Sequence, residues 1–456
     1  MEQFFSPRSV AVIGASRDPN KVGHVILKNL LDAGFRGNIF PVNPKVEVLL
    51  GLRCYSSVAM IQSRIDTAIV AVPAETAVQV LDECGKKRIK WIIMVTAGFG
   101  EVGNKKLEEE LLKRVKKYGM RLIGPNCLGT LDTTTGFDNL FLPRSRLSRP
   151  ERGSISFICQ SGAVGSAILD MMENEGMKCG KFVSYGNAVD VDESDLLEFL
   201  GNDPETRVIC MYIEGVKDGK KFMRIAKKVA SKKPIIAIKG GLTEEGAKAT
   251  VSHTGSLAGV AAVYKGVMRQ CHIINAKTLD ELFSVAKIFE KAGKPSGRRV
   301  QIVTNGGGFG ILAADRLSEQ GLKVEEPSKF FVQKIRSKVQ KEATIRNPMD
   351  LTGSVRNEEY EAVMNALLQE KKVDILCVVV LWQTPLITPE VVRMLQEVRE
   401  KNKKLKKPKQ IVVVSAGGSY TQIQRQAMEE IGIPTFTFPA DAAKALRALV
   451  EYYEVK

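Results

Sequence analysis

Histidine is scarce in this sequence, with three among 456 residues, and the eight cysteines stand singly with no Cys-x-x-Cys pair. That spacing offers no ligand set for zinc or an iron–sulfur cluster, so no metal site is expected. It offers no disulfide framework either, and reads as reduced, buried thiols in a cytoplasm. Long apolar runs are missing too. The longest, such as Ile375 to Trp382, have the length of a strand and cannot span a bilayer, so no membrane role is expected. The N-terminus reaches the apolar stretch Val10-Ala11-Val12-Ile13 too soon to fit the regions of a signal peptide, which again points to a cytoplasmic protein. No G-x-x-x-x-G-K-[ST] phosphate loop occurs.

What is present describes a globular chain. Hydrophobic residues at 44% and charged residues at 26% exclude disorder, and the length exceeds what one core holds. The formal charge of +16 raises the question of nucleic acid. Much of it lies in Lys/Glu stretches of helical character, Lys105 to Lys117 and Glu397 to Lys409, which read as solvated faces. Nucleic acid is therefore not expected; the excess suits polyanionic small substrates or an acidic partner subunit.

Short runs rich in Val and Ile alternate with amphipathic segments throughout. Examples are Val10–Gly14, Ala68–Val72, Trp91–Val95, Ile155–Cys159, Val208–Ile213, Ile235–Ile238, Val300–Thr304, Ile375–Leu381 and Ile411–Ser415. Such alternation signals βαβ units and parallel sheets, hence an α/β protein. Thr133 to Gly153, broken by Pro143 and Pro150, marks one boundary, and Lys291 to Arg299 a second. The later pieces resemble each other: Ile155 to Gly165 can be laid on Val300 to Gly310, and Asp170 and Gly176 on Asp315 and Gly321. Three domains are expected, at 1–130, 131–295 and 296–456. The first reads as Rossmann-like, and the other two as related flavodoxin-like parallel-sheet domains.

Several turns could hold phosphate. Gly14-Ala15-Ser16 follows a strand and precedes a helix expected to start near Val22, where main-chain N–H groups can meet an anion. The end of the next strand carries Asn43 and Lys45, where a nicotinamide-binding unit usually places an acidic residue on the ribose. Asn and Lys suit a phosphate-bearing ribose such as that of CoA; NADP competes, as does an ordinary turn with a surface lysine. Val72-Pro73-Ala74, Thr96 to Gly100 and Gly124 to Cys127 follow the next strands, at the end of the sheet where ligands bind. Ser161 to Gly165 is a second phosphate candidate, and Gly306 to Gly310 has the same form. Close strand–helix packing alone would also select these glycines.

His253 sits in Thr250-Val-Ser-His-Thr-Gly-Ser-Leu-Ala-Gly259, among hydroxyls and glycines. A neutral imidazole there is a competent phosphate carrier, although a lone histidine can be purely structural. Its other ring nitrogen needs an acceptor, and Glu214, closing the strand-like Cys210 to Gly215, is a plausible one. His272, beside Cys271 and Ile273, reads as packing. His24, at the start of a helix, is assigned no chemistry.

In this order the motifs resemble the alpha subunit of ADP-forming acetyl-CoA synthetases (the NDP-forming acyl-CoA synthetase family) and, more distantly, succinyl-CoA synthetase alpha. The carriers are Val12-Ile-Gly-Ala-Ser16, Val42-Asn-Pro-Lys45, Gly124-Pro-Asn-Cys127, Gln160-Ser-Gly-Ala-Val-Gly165, Tyr212-Ile-Glu-Gly215, Ser252-His-Thr-Gly-Ser256 and Asn347-Pro-Met-Asp-Leu351. The resemblance implies that Gly14, Ala15, Ser16, Lys45, Ala97 and Gly98 line a CoA site. It makes His253 the phosphorylated histidine, Glu214 the residue holding its ring, and Ser161 and Gly162 the phosphate cradle. The implied chemistry passes from acyl-CoA and phosphate to acyl phosphate, then to phosphohistidine, then to ADP. No stretch resembles an ATP-grasp nucleotide domain, so a separate ATP-grasp beta subunit with ADP/ATP and Mg2+ is expected, in an alpha2beta2 heterotetramer. Two rivals stay open: an NADP-dependent oxidoreductase and a non-catalytic CoA-binding regulatory protein.

Overall fold

The computed structural model describes residues 1–248 and 261–455. They fall into two compact units, Met1–Lys277 and Thr278–Lys456. The first unit holds two large sheets. One is five-stranded and parallel, in the spatial order Asn38–Val42, Ser9–Ile13, Thr67–Val70, Trp91–Met94, Arg121–Ile123. Every residue of Ser9–Ile13 and Thr67–Val70 is buried, as expected of central strands covered on both faces. The covering helices show why: Val22–Asp32 buries Ile26, Leu27 and Leu30, and Ala74–Lys86 buries Ala77, Val78 and Leu81, three and four residues apart.

The second sheet has a parallel core in the order Ile274–Asn275, Ile235–Lys239, Val208–Ile213, Arg152–Cys159, Cys179–Ser184. An antiparallel hairpin, Gly129–Asp132 with Phe137–Asp138, extends it along Cys179–Ser184. Part of Thr133 to Gly153, expected to be a polar boundary loop, is therefore built into a sheet. Its strand is too short and polar to show a periodic pattern. The second unit carries a six-stranded sheet, ordered Lys323–Val324, Arg299–Thr304, Ile375–Val379, Gln410–Val414, Thr435–Phe436, with Met349–Asp350 also pairing with Arg299–Thr304.

Counted along the chain, the parallel strands of all three sheets take the same spatial order, second, first, third, fourth, fifth, apart from the side strand Met349–Asp350. That is the flavodoxin-like version of the doubly wound fold, whose ligands lie beyond the carboxyl ends of the strands beside the first. The expected α/β class, with a Rossmann-like first domain and two related flavodoxin-like domains, is what the chain adopts.

The reading of His272 fails as well. His272 is not packing: it is exposed, with a left-handed φ of +54°, where the chain turns out of the helix Ala261–Gln270. The buried flanking residues Cys271 and Ile273 suggested a core position, but the turn points the intervening side chain outward. Among the described residues, no helix is long and apolar enough to cross a membrane, and no group of three or more His, Cys, Asp or Glu could hold a metal ion.

Candidate functional site

At the first sheet, Gly14 ends the strand Ser9–Ile13 with φ +95°, and a Cβ there would lie 2.3 Å from the carbonyl oxygen of Ala71. A Cβ on Gly23 would lie 2.0 Å from the Gly14 oxygen, so the turn and the start of its helix touch through main chain alone. The Asn43 amide donates to the Ala15 carbonyl at 2.6 Å, and its Oδ1 accepts the N–H of Lys45 at 2.8 Å. His24 Nδ1 lies 2.9 Å from the Ser16 carbonyl oxygen, so this histidine braces the turn. Gly14, Ala15, Ser16 and the exposed Lys45 thus belong to one pair of neighbouring loops at the carboxyl end of the sheet.

Ala97 and Gly98 lie on the loop after Trp91–Met94. Gly98 takes φ +112°, and its N–H donates to Glu101 Oε1 at 2.5 Å. The other Glu101 oxygen accepts the amide of Asn187 at 2.6 Å, from the second sheet. Burial pushes the Glu101 carboxyl up, but these hydrogen bonds outweigh it and hold its pKa below the ordinary value. Gly186 seals the same seam. Its φ is +57°, and a Cβ would stand 2.3 Å from the carbonyl oxygens of both Pro125 and Asn126.

Between the two sheets lies a cavity of about 440 Å³. Ala97, Asn126 and Cys127 line it from the first sheet's loops, and Gln160, Ser161, Gly162, Asn187 and Glu214 from the second. Three of the proposed site positions from separate motifs, Ala97, Ser161–Gly162 and Glu214, therefore meet around one space. Ser161 is the N-cap of the helix Gly162–Asn174, and its hydroxyl accepts the N–H of Val164 at 3.3 Å. The N–H groups of Gly162 and Ala163 find no acceptor among the described residues and lie at the positive end of that helix. A Cβ on Gly162 would meet nothing nearer than Leu128 at 3.7 Å, so the approach to those amides is open.

Glu214 follows the strand Val208–Ile213 and is buried. Its place is set by Gln160, whose Oε1 accepts the N–H of Glu214 at 2.7 Å, the N–H of Gly215 at 3.0 Å and the hydroxyl of Tyr185 at 3.3 Å. Tyr212 is hydrogen-bonded to the Glu214 carboxylate; burial first, and that charge second, push its hydroxyl up to about 12. Lys239, on the neighbouring strand, is pushed down by burial against the attraction of Glu214. Cys127 is no nucleophile here, because complete burial raises its thiol to about 12. Behind the site, Glu193 is raised to about 7 by burial, then by Asp192, and its Oε1 has no hydrogen-bond partner among the described residues.

His253 lies outside the described residues. Gly14, Ala15, Ser16, Lys45 and Gly98 are not among the residues lining the cavity. Asn126 and Cys127 lie on the Gly124–Cys127 loop that the sequence placed at the ligand end of the sheet, but sequence reasoning missed Gln160 as the clamp of Glu214, and it missed Asn187, Phe141 and Leu142 in the cavity wall. Gln160 stood at the head of a motif and could have been found there; the others carry no spacing signal.

The chain matches three family models in succession. They are a CoA binding domain over residues 8–133, a succinyl-CoA ligase like flavodoxin domain over 152–289, and a Ligase-CoA domain over 300–453. It is 39% identical to the alpha subunit of acetate–CoA ligase [ADP-forming] II of Pyrococcus furiosus, covering 99% of this chain and 97% of that one. It is 40% identical to the acetate–CoA ligase [ADP-forming] of Methanocaldococcus jannaschii, covering 99% of this chain and 63% of that protein. Among solved structures it superposes on the dinucleotide forming acetyl-coenzyme A synthetase 1 of Ca. Korarchaeum cryptofilum, in complex with phosphate and ADP. The TM-score is 0.92 at 37% identity, over 99% and 97% of the two chains. These relatives are ligases, which leaves the oxidoreductase and regulatory readings without support.

Proposed function

The chain belongs to the family of ADP-forming acetate–CoA ligase alpha subunits, and from that membership we propose that it converts acyl-CoA, phosphate and ADP to acid, CoA and ATP with a partner subunit. Phosphate attacks the thioester carbonyl, the carbon–sulfur bond breaks, and CoA leaves as the thiol. His253 then takes the phosphoryl group from the acyl phosphate and releases the acid. ADP takes it in turn and becomes ATP. Each step exchanges one high-energy bond for another, so positioning and charge stabilisation carry the catalysis.

In this proposal Gly14, Ala15, Ser16, Lys45, Ala97 and Gly98 hold CoA. The amides at Gly162 and Ala163, capped by Ser161, cradle phosphate, and Glu214 accepts from the His253 ring. The nucleotide, with Mg2+, sits on an ATP-grasp beta subunit in an alpha2beta2 assembly. The eight cysteines are all buried, which supports a reducing cytoplasm. The observation that carries the proposal is the single cavity shared by Ala97, Ser161–Gly162 and Glu214.

The test is incubation with acetyl-CoA and labelled phosphate, followed by mapping of acid-labile, base-stable label. Label on His253 that vanishes in His253→Ala is expected. Label elsewhere, or equal uptake by the variant, contradicts the proposal.

A further inference from the structure

The segment leading from the hairpin of the second sheet to its central strand is anchored more firmly than a connection requires. The carboxylate of Asp138 is fully buried and accepts from Arg149 at 2.9 Å and from Arg144 at 3.2 Å. The amide of Asn29, itself buried in the helix Val22–Asp32, donates to the carbonyls of Leu140 at 2.7 Å and Leu142 at 3.0 Å. Arg149 donates to the Leu142 carbonyl as well, at 2.9 Å. Phe141 donates its N–H to the carbonyl of Leu128 at 3.4 Å.

A buried ion pair and a buried amide are costly to desolvate, and a surface linker has no need of them. Their effect is to fix a strap whose side chains divide in two. Leu140 and Leu147 turn inward and are buried. Phe141 and Leu142 stay half-exposed and line the cavity together with Leu128 and Cys127. The polar groups of the wall, among them Gln160, Ser161, Asn187 and Glu214, stand beside small apolar side chains at Val95, Ala97 and Ala163.

An acyl-CoA meeting phosphate brings two unlike parts into that space. The thioester carbonyl and the phosphate need hydrogen-bond donors, and the acyl tail needs apolar surface. We infer that Phe141 and Leu142 are specificity-determining residues, the wall against which the acyl tail lies and which limits its length and branching. The inference rests on the ligase reading. The strap is held through Asp138 and main-chain carbonyls, so the two side chains can be changed while its anchors remain.

The experiment measures initial uptake of labelled phosphate by the full chain from acetyl-CoA, butanoyl-CoA and 3-methylbutanoyl-CoA, and compares the ratios. Phe141→Ala and Leu142→Ala are expected to raise the 3-methylbutanoyl to acetyl ratio about tenfold each, the usual worth of one or two methylenes in an apolar pocket. Leu142→Phe is expected to lower it. Ratios within about twofold of the parent's in all three variants overturn the inference. Should an alanine variant fold poorly, Phe141→Leu and Leu142→Met are read by the same ratio. A parent chain that takes label from no acyl-CoA sinks the ligase reading itself, whereas label with unmoved ratios sinks only the wall.

Discussion

The glycine turns Ser161–Gly165 and Gly306–Gly310 begin equivalent helices on sheets of equivalent order, yet the space before them differs. A Cβ on Gly162 would meet nothing within 3.7 Å. One on Gly306 would lie 2.4 Å from Leu381 Cδ1, and one on Gly307 would lie 2.7 Å from Asp350 Oδ2. The second turn therefore keeps a side-chain carboxylate of its own beside the helix start, where an anion is favoured. Asp350 is held there because its strand pairs with Arg299–Thr304 and its Oδ1 accepts the N–H of Thr352 at 2.9 Å. The lesson is that a glycine turn after a strand is only a scaffold. Whether it binds a ligand depends on what the rest of the chain sends into the opening.

The comparison can be broken most sharply at Glu214. In the ligase reading, Glu214→Gln keeps an oxygen for the His253 ring but removes its charge, and should slow phosphate uptake roughly 10²- to 10⁴-fold, the range for disturbed acid–base partners. Asp350→Asn should leave uptake unchanged; a matching loss there would mean that both turns serve the chemistry.

Glu193 offers a test of strain behind the open turn. Its folded pKa of about 7 stands above the ordinary 4.5, so its contribution to stability is complete below about pH 4.5 and is lost as pH rises through 7. Glu193→Gln stays neutral. Unfolding followed from pH 4 to 8 should show the variant gaining on the parent by roughly 3 kcal/mol at most. Parallel curves would contradict the shift.

Gln160→Leu leaves the N–H groups of Glu214 and Gly215 without their acceptor, at a cost of about 1–3 kcal/mol for each buried group. Denaturant midpoints should fall accordingly. Gln160→Glu keeps an acceptor and should recover part of the loss, but it places a charge beside Glu214 and should shift the pH profile of uptake. An unshifted profile argues for a purely structural clamp. The smallest effect belongs to Asp350→Asn, which weakens only the carboxylate–dipole attraction and should cost about 0.3–1 kcal/mol.

Much of this was legible in the residues. Apolar runs such as Trp91–Val95 and Val208–Ile213 became strands, and the helix expected near Val22 begins there. Lys105–Lys117, read from its charge pattern, is a helix over that same range. Glycine turns were visible because glycine takes a positive φ such as the +95° of Gly14 at no steric cost. What could not be read was closure between elements. Nothing local marks Asp350 as the occupant of a turn more than forty residues earlier, or Gln160 as the clamp on Glu214. Phe141 and Leu142 looked like linker because their anchors, Asn29 and Asp138, act through main-chain carbonyls and a buried pair.

The measurement that bears most directly on the account is a crystal structure of the chain at saturating phosphate. The account places the anion on the N–H groups of Gly162 and Ala163, within reach of the His253 ring, and leaves Gly307 and Gly308 bare. Phosphate seated at Gly307 instead, or a filled first turn with His253 out of reach, would contradict it.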